Sequence, residues 1–246
     1  MPIGSLDVIN NFPYQDIRDY YAKWYRPDLQ GIMIVGDINV DEMEAKLKKV
    51  FADVKAPVHP ANRIYYPVAD NQEPLIFIGT DKEIETPSIS FFFKSEAFPD
   101  SLKNTINYYG IQYMLSMGIS MLNSRLAEIR QQADPPFTGA SAGYGDFFVA
   151  KTKSAFGIDA SSKIGGIELA MKTILEEAER ARRFGFTETE YDRARANYLQ
   201  RVESAYNERE KMKNDTYVNE YISNFLDNEP MPGIEYEYAM MNKLAP

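Results

Sequence analysis

The sequence has no cysteine and only one histidine among its 246 residues. Without cysteine, the chain can form no disulfide, no thiolate metal site and no cysteine nucleophile. The single histidine, His59, lies between two prolines in "APVHPAN". We expect it to be a solvated loop residue. A zinc site needs about three protein ligands, usually with several histidines, and a Ser–His–Asp arrangement needs a rigidly held histidine. We therefore expect no metal ligand and no catalytic residue in this chain.

Positive charge and long apolar runs are also scarce. The chain carries 27 Lys and Arg against 36 Asp and Glu, for a net charge of −9. Because nucleic acid and anionic membrane surfaces attract clustered basic residues, we expect neither as a partner. The chain lacks the run of roughly 18 apolar residues that a membrane-spanning helix needs. The first residues also lack a secretion signal, so an exported parent would carry that signal upstream.

Apolar and aromatic residues are plentiful. Hydrophobic residues make up 44% of the chain, with 17 Tyr and 14 Phe, which predicts a folded core and argues against disorder. Predicted strands occur in pairs between long helices and do not alternate strictly with them. This order favours the α+β class, with an antiparallel-rich sheet packed on long helices.

The first quarter of the chain predicts a helix, a strand and a second helix. Aromatic residues at helical spacing predict a helix over residues 14–25, which the proline of Arg26-Pro27 should end. The apolar run 32–35 predicts a short buried strand. Asn39, with Glu42 in the capping-box position, predicts the start of the next helix. Four prolines within residues 54–74 then indicate an extended linker.

Strands and a long helix are predicted after this linker. The apolar run 75–78 predicts a buried strand, and the apolar residues from Ile89 to Phe93 predict a second. Helical periodicity extends from about residue 100 to 131, with a break or bend expected at Gly118. "TGASAGYGDFFVA" and "SAFGIDASS" predict two antiparallel strands.

Helices should make up the last third of the chain. Gly185 fits the end of one helix. Thr187 and Glu190 form a capping box that should open a long second helix. Two further helical pieces are predicted around residues 216–226 and 234–244.

Motifs for nucleotide binding are weak in this sequence. The glycines of "TGASAGYG" lack the Gly-Lys-Ser/Thr ending of a phosphate-binding loop, and "GIMIVGDI" lacks G-x-G-x-x-G. Paired carboxylates such as Glu176 and Glu177 leave open a carboxylate-based hydrolase or a magnesium site. A solvated polar helix face explains the same pattern more simply.

One long stretch resembles a known family. "FPYQDIRDYYAKWYRPDLQGIMIVGDINVDEMEAKLKKVF" resembles the segment that closes the first lobe of pitrilysin/insulinase-type zinc metallopeptidases, the inverted zincins. The elements that follow resemble the next lobe of this family in their order. They are a strand pair, helices that include "LNSRLAEIRQQ", a second strand pair and a helix with "TETEYDRARANYL". The resemblance implies a mitochondrial-processing-peptidase-like metallohydrolase lobe, preceded by a βα remnant of the previous lobe. It divides the chain into a closing segment (1–54), a linker (55–74) and a second, non-catalytic lobe (75–246).

The resemblance also implies where the chemistry lies. The family's catalytic helix carries H-x-x-E-H, with two zinc-binding histidines and a general-base glutamate. No such motif is present, so zinc and proteolysis are expected in an upstream lobe of the same polypeptide. This chain would bind no cofactor itself, and it would shape the substrate chamber and support peptide binding. The alternative is a catalytically dead scaffold or protein-interaction module of the same fold.

Two residues are candidates for substrate contact. In the active partner half, the family often places Arg and Tyr seven residues apart, reaching the substrate beside the zinc. Arg130 fits the arginine position here, but Phe137 stands where tyrosine is expected. Phenylalanine cannot donate a hydrogen bond to an oxyanion, so we expect both residues to line the chamber or contact substrate without a catalytic role. By resemblance to large bacterial members, a periplasmic or otherwise exported parent is favoured.

Overall fold

The computed structural model describes residues 4–245, which divide into two compact units. The described residues of the first unit are 4–64 and 212–231, and those of the second are 65–211 and 232–245. In chain order the helices and strands are α1 (Leu6–Asn11), α2 (Tyr14–Trp24), α3 (Val40–Val50), β1 (Ser88–Glu96), α4 (Asp100–Lys103), α5 (Ile106–Arg130), β2 (Gly139–Phe147), β3 (Ala150–Ser161), α6 (Ile167–Phe184), α7 (Glu188–Asn207), α8 (Asn214–Asp227) and α9 (Ile234–Leu244).

The first unit is helical. Helix α2 forms where the aromatic spacing predicts it, and the Asn39 side chain caps α3 by accepting a hydrogen bond from the backbone N–H of Glu42 at 3.2 Å. The strand predicted over residues 32–35 is not formed, and Ile32 is 55% exposed. A strand exists only by pairing, and no described residue pairs with this run. The helical part of the predicted βα remnant is present, whereas its strand is not.

The second unit is built on a three-stranded antiparallel sheet with the order β1-β3-β2. Phe156 of β3 lies opposite Phe93 of β1 and Tyr144 of β2. Because residues directly opposite each other on neighbouring strands point to the same face, these side chains stand on one side of the sheet, which we call the inner face. The predicted β1 strand and the β2–β3 pair are confirmed.

The buried strand predicted over residues 75–78 is wrong. This run forms no strand, and its four side chains are 82–93% exposed. Within the described residues, only β3 pairs with β1, so the run has no partner strand. An all-apolar run becomes a buried strand only where both a partner strand and a covering layer are available.

The core of the second unit lies between the inner face of the sheet and the long helices α5 and α6. Its central side chains are almost completely buried, and they are Leu122, Leu126, Phe137, Ala142, Ile158, Ala160, Ala170 and Ile174. Helix α5 continues through Gly118, so the predicted break is wrong, whereas a bend at this residue stays a prediction. One glycine costs a helix about 1 kcal/mol, and burial of Met117 and Met121 on either side outweighs that cost. This arrangement is the predicted α+β class, with an antiparallel sheet on long helices.

The last helices form close to where the sequence predicts them. Gly185 ends α6 with a φ of +68°, a conformation that favours glycine. The capping box opens α7: Thr187 N–H donates to Glu190 at 2.7 Å, and Glu190 N–H donates to the Thr187 hydroxyl at 3.3 Å. Helix α9 packs on α7 around buried Val202, Met240 and Met241. In the described range 4–245, no helix has the length and apolar character needed to cross a bilayer.

Candidate functional site

Metal-binding side chains do not converge in the described part of the chain. Across residues 4–245, no three His, Asp or Glu side chains lie close enough together to hold a metal ion. His59 lies in an exposed irregular stretch. The donor set of this chain therefore does not fit the zinc that the family resemblance implies for the parent, and no chemical step is assigned to zinc here.

The candidate carboxylates on α6 form ion pairs with basic residues of the same helix. Glu176 lies 3.8 Å from the Lys172 ammonium, and Glu177 lies 3.2 Å from the Arg180 guanidinium. Pairs of this kind at i, i+3 and i, i+4 stabilise a helix by a few tenths of a kcal/mol. Glu176 is exposed, as is typical of a polar helix face, whereas the Glu177 side chain is only 15% exposed.

Arg130 and Phe137 lie in different environments. Arg130 is the last residue of α5 and is exposed. Phe137 is only 1% exposed and belongs to the core cluster between α5 and the sheet. In this chain Phe137 therefore supports the packing of α5. A chamber-lining or substrate-contact role for the two residues stays a prediction.

An apolar groove of about 890 Å³ opens between α5, α6 and the inner face of the sheet. Its floor is formed by Phe93, Tyr144 and Phe156, one from each strand. Its walls are formed mainly by apolar residues of the two helices and the α6–α7 connection, which are Ile111, Met114, Leu115, Gly118, Ile119, Leu122, Leu175, Ala178, Ala181 and Phe186. A concave apolar site of this size is typical of a binding site.

Two charged residues, Glu179 and Arg182, also line this groove, and they bind each other. Arg182 donates two hydrogen bonds to the Glu179 carboxylate at 2.6 and 2.8 Å, and Arg183 donates a third. These arginines lower the pKa of Glu179 from 4.5 to about 2. Glu179 thus stays ionised and is neutralised by its neighbours, so the groove is suited to a neutral apolar group and poorly suited to proton transfer.

Arg125 joins α5 to the start of α7. Its guanidinium donates to both carboxylate oxygens of Glu190, at 2.5 and 2.9 Å, and to the Gly185 carbonyl at 3.1 Å. It also lies over the Phe186 ring, 4.6 Å from the ring centre. The hydrogen bonds from Arg125, helped by those from Thr187, lower the pKa of Glu190 from 4.5 to about 2. The sequence shows both the arginine and the capping glutamate, but only the fold shows that they meet.

Lys153 fastens part of the predicted linker to the sheet. It is 6% exposed, and its ammonium lies 3.0 Å from Asp70 and also contacts Glu96. These two carboxylates raise the pKa of Lys153. The Thr152 hydroxyl donates to the Tyr66 carbonyl at 3.2 Å. Residues 66–70, within the predicted linker 55–74, are therefore held against β3.

Comparison with known proteins gives a family match over most of the chain. The family described as "Peptidase M16 inactive domain" matches residues 11–198. This match confirms the resemblance to insulinase-type peptidases and the reading of the chain as a non-catalytic lobe.

Relatives with sequence similarity are described as zinc proteases. The protein "Zinc protease PQQL-like" from Arabidopsis thaliana is 28% identical over an alignment that covers 100% of this chain and 22% of that protein. The protein "Probable zinc protease PqqL" from Escherichia coli K12 is 22% identical, with 99% of this chain and 26% of that protein covered. The chain thus spans about a quarter of the length of these relatives.

A solved structure shares the fold. The periplasmic protease PqqL from Escherichia coli matches with a TM-score of 0.80 and 21% identity, over 99% of this chain and 26% of that one. At this identity the match concerns the fold alone. Taken with the family match over residues 11–198, it leads to one conclusion: the chain belongs to the peptidase M16 inactive-domain family.

Proposed function

We propose that this chain shapes the substrate chamber of a larger zinc metallopeptidase and supports peptide binding there. In this proposal, an upstream H-x-x-E-H lobe of the same polypeptide binds zinc and cleaves the peptide. The observation that carries the proposal is the match of residues 11–198 to an inactive peptidase domain. The single histidine of the chain agrees with it, because a zinc-binding H-x-x-E-H helix needs two.

The surface of the first unit supports a partner in the same polypeptide. Among its described residues, 4–64 and 212–231, no apolar side chain is fully buried. Helix α2 exposes Tyr14, Ile17 and Tyr21 to between 56 and 78%. Exposed apolar surface of this kind marks an interaction site. We therefore keep residues 1–54 as the proposed closing segment of the preceding lobe, 55–74 as the proposed linker and 75–246 as the proposed second lobe.

The parent protein is proposed to be exported. The solved relative with the TM-score of 0.80 is described as periplasmic. The absence of cysteine from this chain is compatible with an oxidising compartment, although it does not require one.

Reconstitution tests the proposed function. The upstream lobe of the parent and this chain would be produced separately, and cleavage of an unstructured peptide would be measured with each alone and with both together. We expect the upstream lobe alone to cleave slowly, and the addition of this chain to raise kcat/KM by about tenfold or more, because a completed chamber positions the peptide.

Two controls make the outcome decisive. Chelation of zinc should abolish the restored cleavage, and the His-to-Ala variant of either zinc ligand upstream should remain inactive in the mixture. Failure of this chain to bind the upstream lobe or to change its activity would contradict the proposal. Absence of H-x-x-E-H from the upstream reading frame would favour the catalytically dead scaffold instead.

A further inference from the structure

Strand β2 lies at one edge of the sheet formed by the described residues. In the order β1-β3-β2, only one side of β2 is paired, and its partner is β3. Along an antiparallel strand, the N–H and C=O groups of successive residues point alternately to the two sides of the strand. Every second residue of β2 therefore turns its backbone groups away from β3. A row of unpaired backbone groups is a template to which another extended polypeptide can add.

Ala142, in the middle of β2, is one of the residues whose backbone groups point away from β3. The Ser162 N–H donates to the Pro87 carbonyl at 2.9 Å, so the residue that follows β3 turns its backbone towards the β1 side. Ile158, four residues earlier, turns its backbone groups to that same side by alternation. Ala142 lies opposite Ile158 in the β2–β3 register. The N–H and C=O of Ala142 therefore face the open edge of the sheet, which we call the β2 edge.

A side chain of helix α5 occupies the β2 edge at this residue. The Asn123 side-chain N–H donates to the Ala142 carbonyl at 2.9 Å, and the Asn123 side-chain oxygen accepts from the Ala142 N–H at 2.7 Å. A carboxamide offers an N–H donor and a carbonyl acceptor, the same two groups that a residue of a strand offers. Asn123 thus forms with Ala142 the two hydrogen bonds that a residue of an added strand would form. Its neighbours on α5, Leu122 and Leu126, are core residues, which holds the helix in place.

We propose that Asn123 closes the β2 edge to strand addition. The residues that face this edge are Ala140, Ala142, Tyr144 and Asp146. Because Ala142 lies between two of the others, an extended polypeptide that pairs along the edge must first displace the Asn123 carboxamide. The helix that carries Asn123 is anchored in the core, so the displaced side chain stays close and competes with the incoming strand. This inference does not depend on the proposed peptidase function.

Amide hydrogen exchange of the wild-type chain tests the contact without any substitution. The Tyr144 N–H faces the same edge as the Ala142 N–H, and within residues 4–245 it is paired with no other backbone group. We expect the protection of the Ala142 N–H to exceed that of the Tyr144 N–H by about tenfold or more, because its hydrogen bond to Asn123 must break before exchange. Equal protection at the two residues would overturn the proposal.

Opening the edge tests the closing function, with further copies of the chain as the probe. In Asn123→Ala the two groups of Ala142 lose their partners, and two opened edges can then pair about a two-fold axis. We expect sedimentation velocity to show self-association at a concentration about tenfold or more below that of the wild type, because the released groups form hydrogen bonds with a second strand. Ser124→Ala is the matched control. The Ser124 hydroxyl donates to the Ser120 carbonyl within α5 at 3.0 Å, so its loss leaves the edge closed.

A lysine placed on either edge strand shows where the association occurs. Ser141 of β2 and Ser90 of β1 are both exposed, and both lie opposite Asp159 of β3. Because an edge lysine hinders strand addition, Ser141→Lys in the Asn123→Ala background should return the association to that of the wild type, whereas Ser90→Lys should not. Thermal unfolding checks that each variant folds, and the exchange comparison decides if Asn123→Ala does not. Association of Asn123→Ala no stronger than that of the wild type, or equal suppression by the two lysines, would overturn the proposal.

Discussion

At the scale of single residues, the contact between Arg125 and Glu190 is the most informative. It is a bidentate pair whose side chains are 11% and 21% exposed, and it ties the middle of the chain to the capping box of α7. Bidentate charge-assisted hydrogen bonds are stronger and more geometrically specific than neutral ones. The same carboxylate therefore caps a helix and anchors another helix to it.

Removing this arginine should destabilise the fold clearly. In Arg125→Ala, Glu190 would keep a mostly buried charge without its partner, so we expect the free energy of unfolding to fall by about 2–3 kcal/mol. Urea denaturation followed by circular dichroism measures this change. Arg193→Ala is the matched control, because Arg193 and Glu128 are 3.6 Å apart and both more than 60% exposed. In Arg193→Ala we expect the free energy of unfolding to fall by no more than about 0.5 kcal/mol. An equal fall in Arg125→Ala and Arg193→Ala would contradict the assigned role of Arg125.

The lowered pKa of Glu190 gives a pH signature. Its pKa is about 2 in the folded chain against an ordinary 4.5, so the folded state favours the ionised form. This stabilisation is fully present above pH 4.5 and is lost as the pH falls from there towards 2. We expect the difference in unfolding free energy between the wild type and Glu190→Gln to be constant near neutral pH and to shrink below pH 4.5. A difference that does not vary with pH would contradict this assignment.

At the scale of elements, a predicted helix end, cap or strand was confirmed mainly where the residues that determine it lie close together in the chain. The end of α6 at Gly185 and the capping box of Thr187 and Glu190 were predictable, because each involves residues within one turn of chain. The strands predicted at 32–35 and 75–78 were not formed, because a strand depends on a partner that its own residues do not specify. Helix and cap signals, and the pairing of β2 with β3 that follows it directly in the chain, are therefore readable from one stretch of sequence, whereas pairing with a distant strand is not.

Two glycine-to-alanine substitutions test the backbone conformation, one within α5 and one in the connection between β3 and α6. A Cβ at Gly118 would meet nothing within 4 Å, so Gly118→Ala should raise the free energy of unfolding by about 0.5–1 kcal/mol. Gly165 also has open space around it, but its φ is +79°. Gly165→Ala should therefore lower stability by about 1 kcal/mol. Thermal unfolding of the two variants compares them, and a destabilising Gly118→Ala would show that α5 does bend at this position in solution.

At the scale of the whole molecule, the fold class was predictable and the surfaces were not. Composition and the order of the elements led to an α+β lobe, and the family resemblance was confirmed over residues 11–198. The apolar groove, however, gathers Phe93, Tyr144 and Phe156 from three strands and places them beside two helices. No single stretch of sequence holds that pattern. Arg130 and Phe137, which were proposed from the sequence, lie one on the surface and one in the core.

The central claim for this protein is that the chain forms a non-catalytic lobe, and that the proposed zinc site and cleavage belong to another lobe of the parent polypeptide. The chain contributes a lobe with one exposed histidine, and within residues 4–245 no cluster of three potential metal ligands is present. The measurement that tests the claim most directly is cleavage of an unstructured peptide by the purified chain, with and without zinc and with a chelator. We expect no cleavage above the buffer control under any of these conditions. Cleavage that requires zinc and disappears with the chelator would contradict the account.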